Sequence, residues 1–457
     1  MGPATAASAT GAAHSGHAFR AAVARTVHSR VGVDVRLQPA AALLLACALS
    51  GGALADDPLN SSDKPVNADT SAAGAGTPGA THNEFNVLPI AGGTTDIGVG
   101  GGFFSNFTHL QTGLDPYVWN IESVGLITFK VSGGRVIVPY TDVYLKLGIP
   151  RLFGHPLRLE VRPSFTAETT IHYYGLGNAS PAHAIAGKAD TWLEYGRTHP
   201  QLDVDLRFRI IDHVSARGGA RYVQNWIQTQ ADSKLASDLT SGSDEVRRLL
   251  GSTAPHAVLL LKTGLQWDDR DNEASTRSGS LHSFDLRFSP GGGDAFPYRY
   301  GEALLNLRVF VPLVTSLTLA VRLAGQILFG DVPFYELARF DDSYALGGPY
   351  GVRGIPAGRF AGKVTLLGNL ELRDELLTFH ALGKPLLLGA VAFADGGRLW
   401  TDFGAHPELD GTGLGLHFGL GGGLRLQSGS AFVLRIDVAW SPDADPIGGY
   451  FSAGQIF

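Results

Sequence analysis

Hydrophobic and polar residues alternate along most of the chain from Glu84 onward. In residues 157–171 the bulky apolar side chains occupy odd positions, and arginine and glutamate occupy even ones. The same period of two recurs in residues 202–210, 317–329 and 432–440. Since successive side chains of a β-strand point to opposite faces, this period predicts strands with one apolar and one polar face.

The alternating segments predict sixteen strands. Fifteen follow directly from the pattern, at 95–107, 117–131, 134–147, 156–172, 202–211, 214–228, 257–267, 280–289, 298–311, 315–329, 363–375, 386–400, 414–427, 430–441 and 447–457. Bacterial single-chain barrels contain an even number of strands, so we assign residues 83–92 as the sixteenth. This assignment also places the two longest connections, 173–201 and 229–256, outside the cell, where such barrels carry their long loops.

The strand length favours a membrane barrel over a soluble β-sandwich. The predicted strands often run to about a dozen residues or more, whereas strands of soluble sheets usually have ~5–6. Their polar faces carry arginines and carboxylates in similar number, as expected of a lumen in which these groups pair. With a lipid-facing apolar band, this pattern predicts an all-β fold, a transmembrane antiparallel β-barrel.

Composition agrees with this fold. The 457 residues include 60 glycines, and only 17% of the residues are charged, which suits short turns and strands better than helices. No run reaches the ~18 apolar residues of a spanning helix. The net charge of −6 and the lack of a basic patch give no indication of nucleic-acid binding.

The N-terminal region resembles an export signal. Arg36 precedes an apolar run, and the small residues Ala53 to Ala55 precede two aspartates, so we predict a signal peptide over 1–55. Cys47 also suits a lipoprotein cleavage site, but apolar sequence continues beyond it. Residues 56–83 have little apolar bulk and are predicted to be a disordered linker. The barrel is assigned to 84–457, in the bacterial outer membrane.

Several local motifs resemble the BamA/TamA-type bacterial surface antigens, the barrels that assemble or export proteins at the outer membrane. The motifs are YYGLGN at 173–178, WDDRDNEASTRSG at 267–279, GVRGIPAGRF at 351–360, FADGGRLW at 393–400 and the final Phe457. They occur in the order that the family shows, which makes the resemblance more specific than any single motif. The resemblance covers about 84–457.

The resemblance implies a specific role for the loop that contains Val352, Arg353 and Gly354. In the family this loop folds into the lumen, and its arginine meets acidic residues on strands twelve and thirteen. The matching positions here are Glu371 and Asp395. Alternation independently places Glu371 on the inner face, but it groups Asp395 with residues that the pattern assigns to lipid.

The resemblance also implies a C-terminal assembly signal, carried by Phe451 and Phe457. The implied partners are outer-membrane lipids and lipopolysaccharide, the barrel-assembly machinery during biogenesis, and an unfolded or exported polypeptide. Family members that insert proteins usually carry periplasmic domains before the barrel, whereas this sequence offers only the linker of 28 residues. We therefore expect a branch of the family that consists of the barrel alone.

Other functions are weighed against this interpretation. The acidic turn at 267–279 lacks the ligand spacing of a calcium loop, the glycines at 411–423 lack the features of a phosphate loop, and no serine–histidine–acid pattern is present, so we expect no metal, cofactor or enzymatic activity. Arg353 is open to a second interpretation as a solvated loop arginine. The main alternative function is a passive channel for small solutes, with a lumen lined by Arg158, Arg162, Arg207, Arg209, Arg217, Arg221, Arg308 and Arg322.

Overall fold

A computed structural model of the chain shows a closed antiparallel β-barrel. It describes residues 79–457, with gaps at 115, 133, 182–189, 274, 342, 382–383, 429–431, 445–446 and 454. The predicted signal peptide, 1–55, and most of the predicted linker lie outside the described residues. Among these residues, no helix has both the length and the apolar character needed to cross a membrane.

Sixteen barrel strands follow one another around the wall, which confirms the predicted fold class and strand number. They are β1 Thr81–Thr94, β2 Gly98–Gln111, β3 Trp119–Ser132, β4 Tyr140–Ile149, β5 Leu157–His172, β6 Glu194–Ile211, β7 Val214–Thr229, β8 His256–Asp268, β9 Gly279–Ser289, β10 Tyr300–Pro312, β11 Leu317–Gly330, β12 Val364–Ala381, β13 Lys384–Trp400, β14 His417–Ser428, β15 Phe432–Trp440 and β16 Gly448–Ala453. Each pairs with the next, and β1 pairs with β16 to close the barrel.

The connections carry the remaining secondary structure. Three helices are described, α1 Lys234–Ser241 and α2 Asp244–Leu250 between β7 and β8, and α3 Pro407–Asp410 between β13 and β14. Short 3₁₀ turns span Leu152–Gly154, Asp190–Leu193 and Phe334–Ala338, and short strands span Arg135–Ile137, Arg339–Phe340 and Ser343–Tyr344. The longest connection that is described in nearly full detail, residues 331–363, joins β11 to β12.

The two faces of the wall differ as the alternation predicts. On β12, Leu366 and Leu370 are more than two-fifths exposed, whereas Asn369 and Glu371 between and after them are buried. The exposed apolar side chains form the surface that suits lipid, and Trp226, Trp267 and Trp440 lie near strand ends, where interfacial tryptophans are favoured. The polar side chains face inward.

Several strand boundaries differ from the predicted ones, and two of them involve prolines. β4 begins at Tyr140 instead of residue 134, because Pro139 separates it from the short strand Arg135–Ile137. β6 begins at Glu194 instead of residue 202, although it contains Pro200. Pro200 is tolerated because it pairs with Phe165 on β5, while the ladder with β7 skips this position.

The two ends of the predicted barrel also differ. β1 begins at Thr81, so residues 81–83 belong to a strand and not to the predicted disordered linker. β16 ends at Ala453, whereas the sequence predicted a strand to residue 457. Beyond it, Ile456 and Phe457 are buried against Phe310, because their apolar side chains pack on the inner face of β10 and β11 instead of continuing the wall.

The pairing between β1 and β16, which we call the β1–β16 join, is much shorter than the pairing between other neighbouring strands. β1 and β16 are in register only at Gly93–Phe451 and Thr94–Tyr450. By comparison, β12 and β13 pair from Val364–Trp400 to Ala381–Lys384. In the described residues, most of β1 therefore has a ladder partner on the β2 side only.

Candidate functional site

The connection 331–363 packs its apolar residues against buried side chains of the wall strands. Leu346, Val352 and Ile355 are fully buried and form one cluster with Leu367 of β12 and Leu399 of β13. Burial of apolar area against the wall compensates for the conformational entropy lost when a glycine-rich segment becomes ordered. Val352, which the sequence singled out, is one of these packing residues.

Arg353 follows Val352 and is fully buried. Its Nε and Nη2 donate to the two carboxylate oxygens of Asp395, at 2.7 and 2.9 Å, in a bidentate pair. Its Nη1 donates to Glu371 Oε1 at 2.6 Å and to Asp437 Oδ2 at 3.2 Å. The structure thus brings together the three charged residues that the sequence proposed and adds a third carboxylate.

Further contacts fix the guanidinium and its neighbours. The backbone N–H of Arg353 donates to Asp395 at 3.1 Å, and the guanidinium lies over the Phe393 ring at 3.4 Å from the ring centre. Asn369 donates to both Asp395 and the Gly351 carbonyl, each at 2.9 Å. Arg353 is therefore held through its side chain, its backbone and the segment that precedes it.

Two more arginines share the same carboxylates. Arg373 Nε donates to Glu371 Oε2 at 2.8 Å, and Arg425 Nη1 donates to Asp437 Oδ1 at 2.5 Å. Burial acts to lower the pKa of Arg353, but the attraction of Glu371, Asp395 and Asp437 outweighs burial, so this pKa lies above its usual value. Arg353 is accordingly a permanently charged group.

β14 provides room for this arrangement through its glycines. A Cβ on Gly419 would lie 1.9 Å from the Arg353 carbonyl oxygen, and one on Gly421 would lie 2.4 Å from the Phe393 ring. Gly354 has φ of +95°, and a Cβ there would lie 2.8 Å from the Trp440 carbonyl carbon. These glycines allow the loop and the wall to approach each other closely.

The site includes residues that sequence reasoning did not assign. Asp437 shares the inner face of β15 with Arg435, so the alternation carried a signal for it that the motif comparison did not use. The alternation assigns Phe393 to the lipid-facing side of its strand, but the side chain is buried and contacts Arg353. On β13 the inner face carries Val391, Phe393 and Asp395, which explains why parity alone gave Asp395 an ambiguous place.

The other residues that the sequence singled out lie elsewhere. Phe451 is partly exposed on β16, where it pairs with Gly93. Phe457 is buried, and the Arg373 guanidinium lies 5.1 Å from its ring centre. Their role as an assembly signal stays a prediction.

The acidic turn between β8 and β9 makes contacts of its own. Arg270 donates to both carboxylate oxygens of Asp268 at 2.9 Å, Asp269 accepts from Ser280, and Asp271 accepts from the Arg277 N–H at 3.0 Å. Donors in and beside the turn thus engage these carboxylates, through one ion pair and several hydrogen bonds.

One mixed cluster among the described residues has atoms close enough to hold a metal ion. It consists of Glu245, Asp402 and His406. Arg248 already donates to Glu245 at 2.5 Å and to Asp402 at 3.0 Å, and Lys363 donates to Asp402 at 3.2 Å. The cluster is explained as an ion-pair contact between α2 and the connection after β13.

The barrel, its lipid-compatible outer face and its charged inner site define a bacterial outer-membrane β-barrel. Residues 131–457 match the model of the Omp85 superfamily domain, and the chain belongs to that superfamily. This confirms the family resemblance and places the protein in the bacterial outer membrane. A search of the curated proteins found no match to this sequence.

Two solved structures share the fold. BamA from Haemophilus ducreyi lacking POTRA domains 1–3 is 14% identical, with a TM-score of 0.55, over 82% of this chain and 70% of that one. CdiB from Escherichia coli is also 14% identical, with a TM-score of 0.50, over 80% of this chain and 62% of that one. At this identity the similarity establishes the fold.

We predict that Arg353→Ala lowers the free energy of unfolding by about 3–5 kcal/mol, because it leaves three buried carboxylates without their shared cation. Urea unfolding in lipid vesicles, followed by tryptophan fluorescence, measures this. Arg353→Lys should also destabilise, since a single ammonium cannot reproduce the bidentate pair with Asp395. The control is Arg247→Ala, which removes an exposed pair with Asp244 and should cost less than ~1 kcal/mol. Equal effects of the two alanine variants would contradict the prediction.

The shared carboxylates also determine the expected result of a charge swap. Arg353→Glu should destabilise the barrel, because the new carboxylate would face Asp395 and Asp437. Adding Glu371→Arg should restore little, because the new guanidinium would face Arg373. The same unfolding measurement distinguishes this from a simple two-residue pair, for which the double variant would recover most of the loss.

A matched pair of glycine substitutions tests the close approach of the loop to β14. Gly419→Ala should lower the free energy of unfolding by about 1–3 kcal/mol, because its Cβ would overlap the Arg353 carbonyl. Gly396→Ala on β13 should be tolerated, since its nearest neighbour would be the His417 carbonyl at 3.7 Å. Equal loss in both variants would show that alanine in these strands is harmful for another reason.

Asp96, in the turn between β1 and β2, provides a pH prediction. Burial raises the pKa of Asp96, outweighing the hydrogen bond from Ala357 and the attraction of Lys130. The pKa of Asp96 is therefore higher in the folded state than in the unfolded state. The protonated Asp96 side chain contributes stability that is fully present below the unfolded pKa and is lost as pH rises through the folded pKa. Asp96→Asn should therefore be more stable than wild type at pH 7, and this difference should vanish in acid. A difference that grows towards acid pH would contradict this.

Proposed function

We propose that this barrel inserts or translocates polypeptides at the outer membrane, and that the Val352–Gly354 loop is locked in the lumen against the wall. The observation that carries this proposal is the short join between β1 and β16. Membership of the Omp85 superfamily supports the class of function. The polypeptide substrate, lipopolysaccharide and the cell's assembly machinery are proposed partners.

The β1 edge is suited to recruiting another strand. β1 runs from Thr81 to Thr94, but its register with β16 begins only at Gly93. Unpaired backbone groups are costly in lipid, and an open strand edge is a template for pairing with another chain. A polypeptide segment that adds as a strand to β1 would satisfy these groups through main-chain hydrogen bonds.

We call the ion pairs of Arg353 with Glu371, Asp395 and Asp437 the Arg353 lock. This lock stabilises a part of the wall that lies away from the β1–β16 join. Arg353 connects the loop to β12, β13 and β15 through Glu371, Asp395 and Asp437. This section of the wall is thus cross-linked by charge-assisted hydrogen bonds, while the β1–β16 join depends on few backbone bonds. We propose that the lock keeps the barrel intact while the join opens.

The alternative of a passive solute channel receives less support. The comparisons favour an assembly or translocation barrel, and the connection 331–363 packs on the inner face of β12 and β13. We further propose that the protein acts without enzymatic chemistry, through strand pairing and conformational change.

The test uses the full chain reconstituted into liposomes, to which a small urea-unfolded outer-membrane barrel is added. We expect faster acquisition of the compact, protease-resistant form of the added barrel than in empty liposomes. A disulfide across the β1–β16 join can be introduced with Thr95→Cys and Gly449→Cys in a Cys47→Ser background. This disulfide should remove the acceleration of folding, and a reductant should restore the acceleration. The site suits a cross-link because a Cβ on Gly449 would lie 3.8 Å from Thr95 Cγ2.

Conductance across planar bilayers tests the alternative function, a passive solute channel. A large, steady, solute-permeable conductance without any acceleration of folding would favour the channel and reject the assembly proposal. The reduced double-cysteine variant serves as the matched control, since it differs from the joined form only by the disulfide.

A further inference from the structure

The segment Arg353–Arg359 contacts both sides of the join between β1 and β16. The Gly354 N–H donates to the Tyr450 hydroxyl of β16 at 2.9 Å. Three residues later, the Ala357 N–H donates to Asp96 Oδ2 in the β1–β2 turn at 3.2 Å. One short stretch of loop backbone therefore bridges the two strands that close the barrel.

We propose that this segment is a strap that holds the β1–β16 join closed, and that its release is the step that allows the join to open. The inference concerns the barrel alone and does not depend on the proposed function. It gives the loop a role in control, in addition to the anchoring of the loop to the wall through Arg353.

The strap supplements a join that has few bonds of its own. Besides the register at Gly93–Phe451 and Thr94–Tyr450, the Thr95 N–H donates to the Gly449 carbonyl at 3.3 Å. Each strap contact adds a hydrogen bond to one side of the join. Because the join has few hydrogen bonds of its own, the two hydrogen bonds of the strap contribute a large fraction of the free energy of local opening.

Both ends of the strap are anchored away from the join. At one end, Arg353 is bound to three carboxylates of β12, β13 and β15. At the other end, Arg359 donates to the Ser180 hydroxyl at 2.7 Å and to the Ser180 carbonyl at 2.6 Å, in the connection after β5. A segment fixed at both ends can hold its middle residues against the join.

The packing at the join also requires the strap to approach the backbone directly. The Gly354 Cα would lie 3.2 Å from a Cβ on Gly448, and a Cβ on Gly354 would overlap the Trp440 backbone. Tyr350, just before the strap, packs against the cluster of Phe310, Ala320, Ile456 and Phe457, the last two of which follow β16. The contact with β16 therefore extends beyond the single hydroxyl.

Hydrogen–deuterium exchange of the reconstituted full chain tests the strap, with two matched tyrosine variants. Tyr450→Phe removes the hydroxyl that accepts from Gly354. Tyr344→Phe removes a hydroxyl of the same connection that donates to Glu168 of β5 at 3.0 Å, away from the join. Tyr450→Phe should accelerate exchange of the β1 and β16 amides about fivefold to tenfold, whereas Tyr344→Phe should leave them unchanged.

A second pair of variants probes the other side of the join. Asp96→Ala removes the acceptor for the Ala357 N–H and should accelerate exchange in β1 and β16, whereas Asp96→Asn keeps an acceptor oxygen and should not. In the chain joined by the Thr95→Cys and Gly449→Cys disulfide, neither Tyr450→Phe nor Asp96→Ala should have an effect on these amides. This result separates opening of the join from general loosening of the barrel.

The proposal is overturned if Tyr450→Phe and Asp96→Ala leave exchange in β1 and β16 unchanged, or if they accelerate exchange equally in β6 and β7. The exchange measurement needs no added polypeptide. A chain that shows the expected exchange but does not accelerate folding of an added barrel would support the strap and reject the proposed function.

Discussion

The burial of Arg353 is the interaction on which the arrangement of this barrel's interior depends. Removing an arginine side chain from water costs several kcal/mol of hydration free energy, and hydrogen bonds and opposite charges have to compensate for this cost. Here Glu371, Asp395 and Asp437 supply them, and each comes from a different strand. The loop can therefore occupy this position only when β12, β13 and β15 are correctly placed.

The same constraint explains features of the wall that would otherwise look unrelated. Gly419 and Gly421 leave space on β14 for the loop backbone and for the Phe393 ring, and Asn369 links Asp395 to the loop carbonyl at Gly351. Glycine weakens a strand, since it packs no side chain and loses more entropy on folding. In this barrel that cost is offset by the contacts of a loop that lies directly against the strand.

The barrel is asymmetric in how its strands are joined. The strands around Arg353 are connected by long ladders and by ion pairs across the inner face, whereas β1 and β16 share a short register near one end. The loop contacts both regions, through Arg353 in the first and through Gly354 and Ala357 in the second. The β1–β16 join is thus held by fewer backbone bonds than the strands around Arg353, which is why our proposals place the opening there.

The sequence by itself determined the all-β fold, fifteen of the sixteen strands and the faces of most of them, because a period of two and an apolar band are local properties of each strand. It also directed attention to Arg353, Glu371 and Asp395, which the structure brings into contact, while their role as an internal lock stays a prediction. It did not assign Asp437, which is 84 residues from Arg353 along the chain, or the inward side of Phe393, because parity cannot tell which face of β13 meets the loop. The short β1–β16 register and the inward turn of Ile456 and Phe457 were decided only by the tertiary structure, since both depend on how a closed barrel brings the two ends of the chain together.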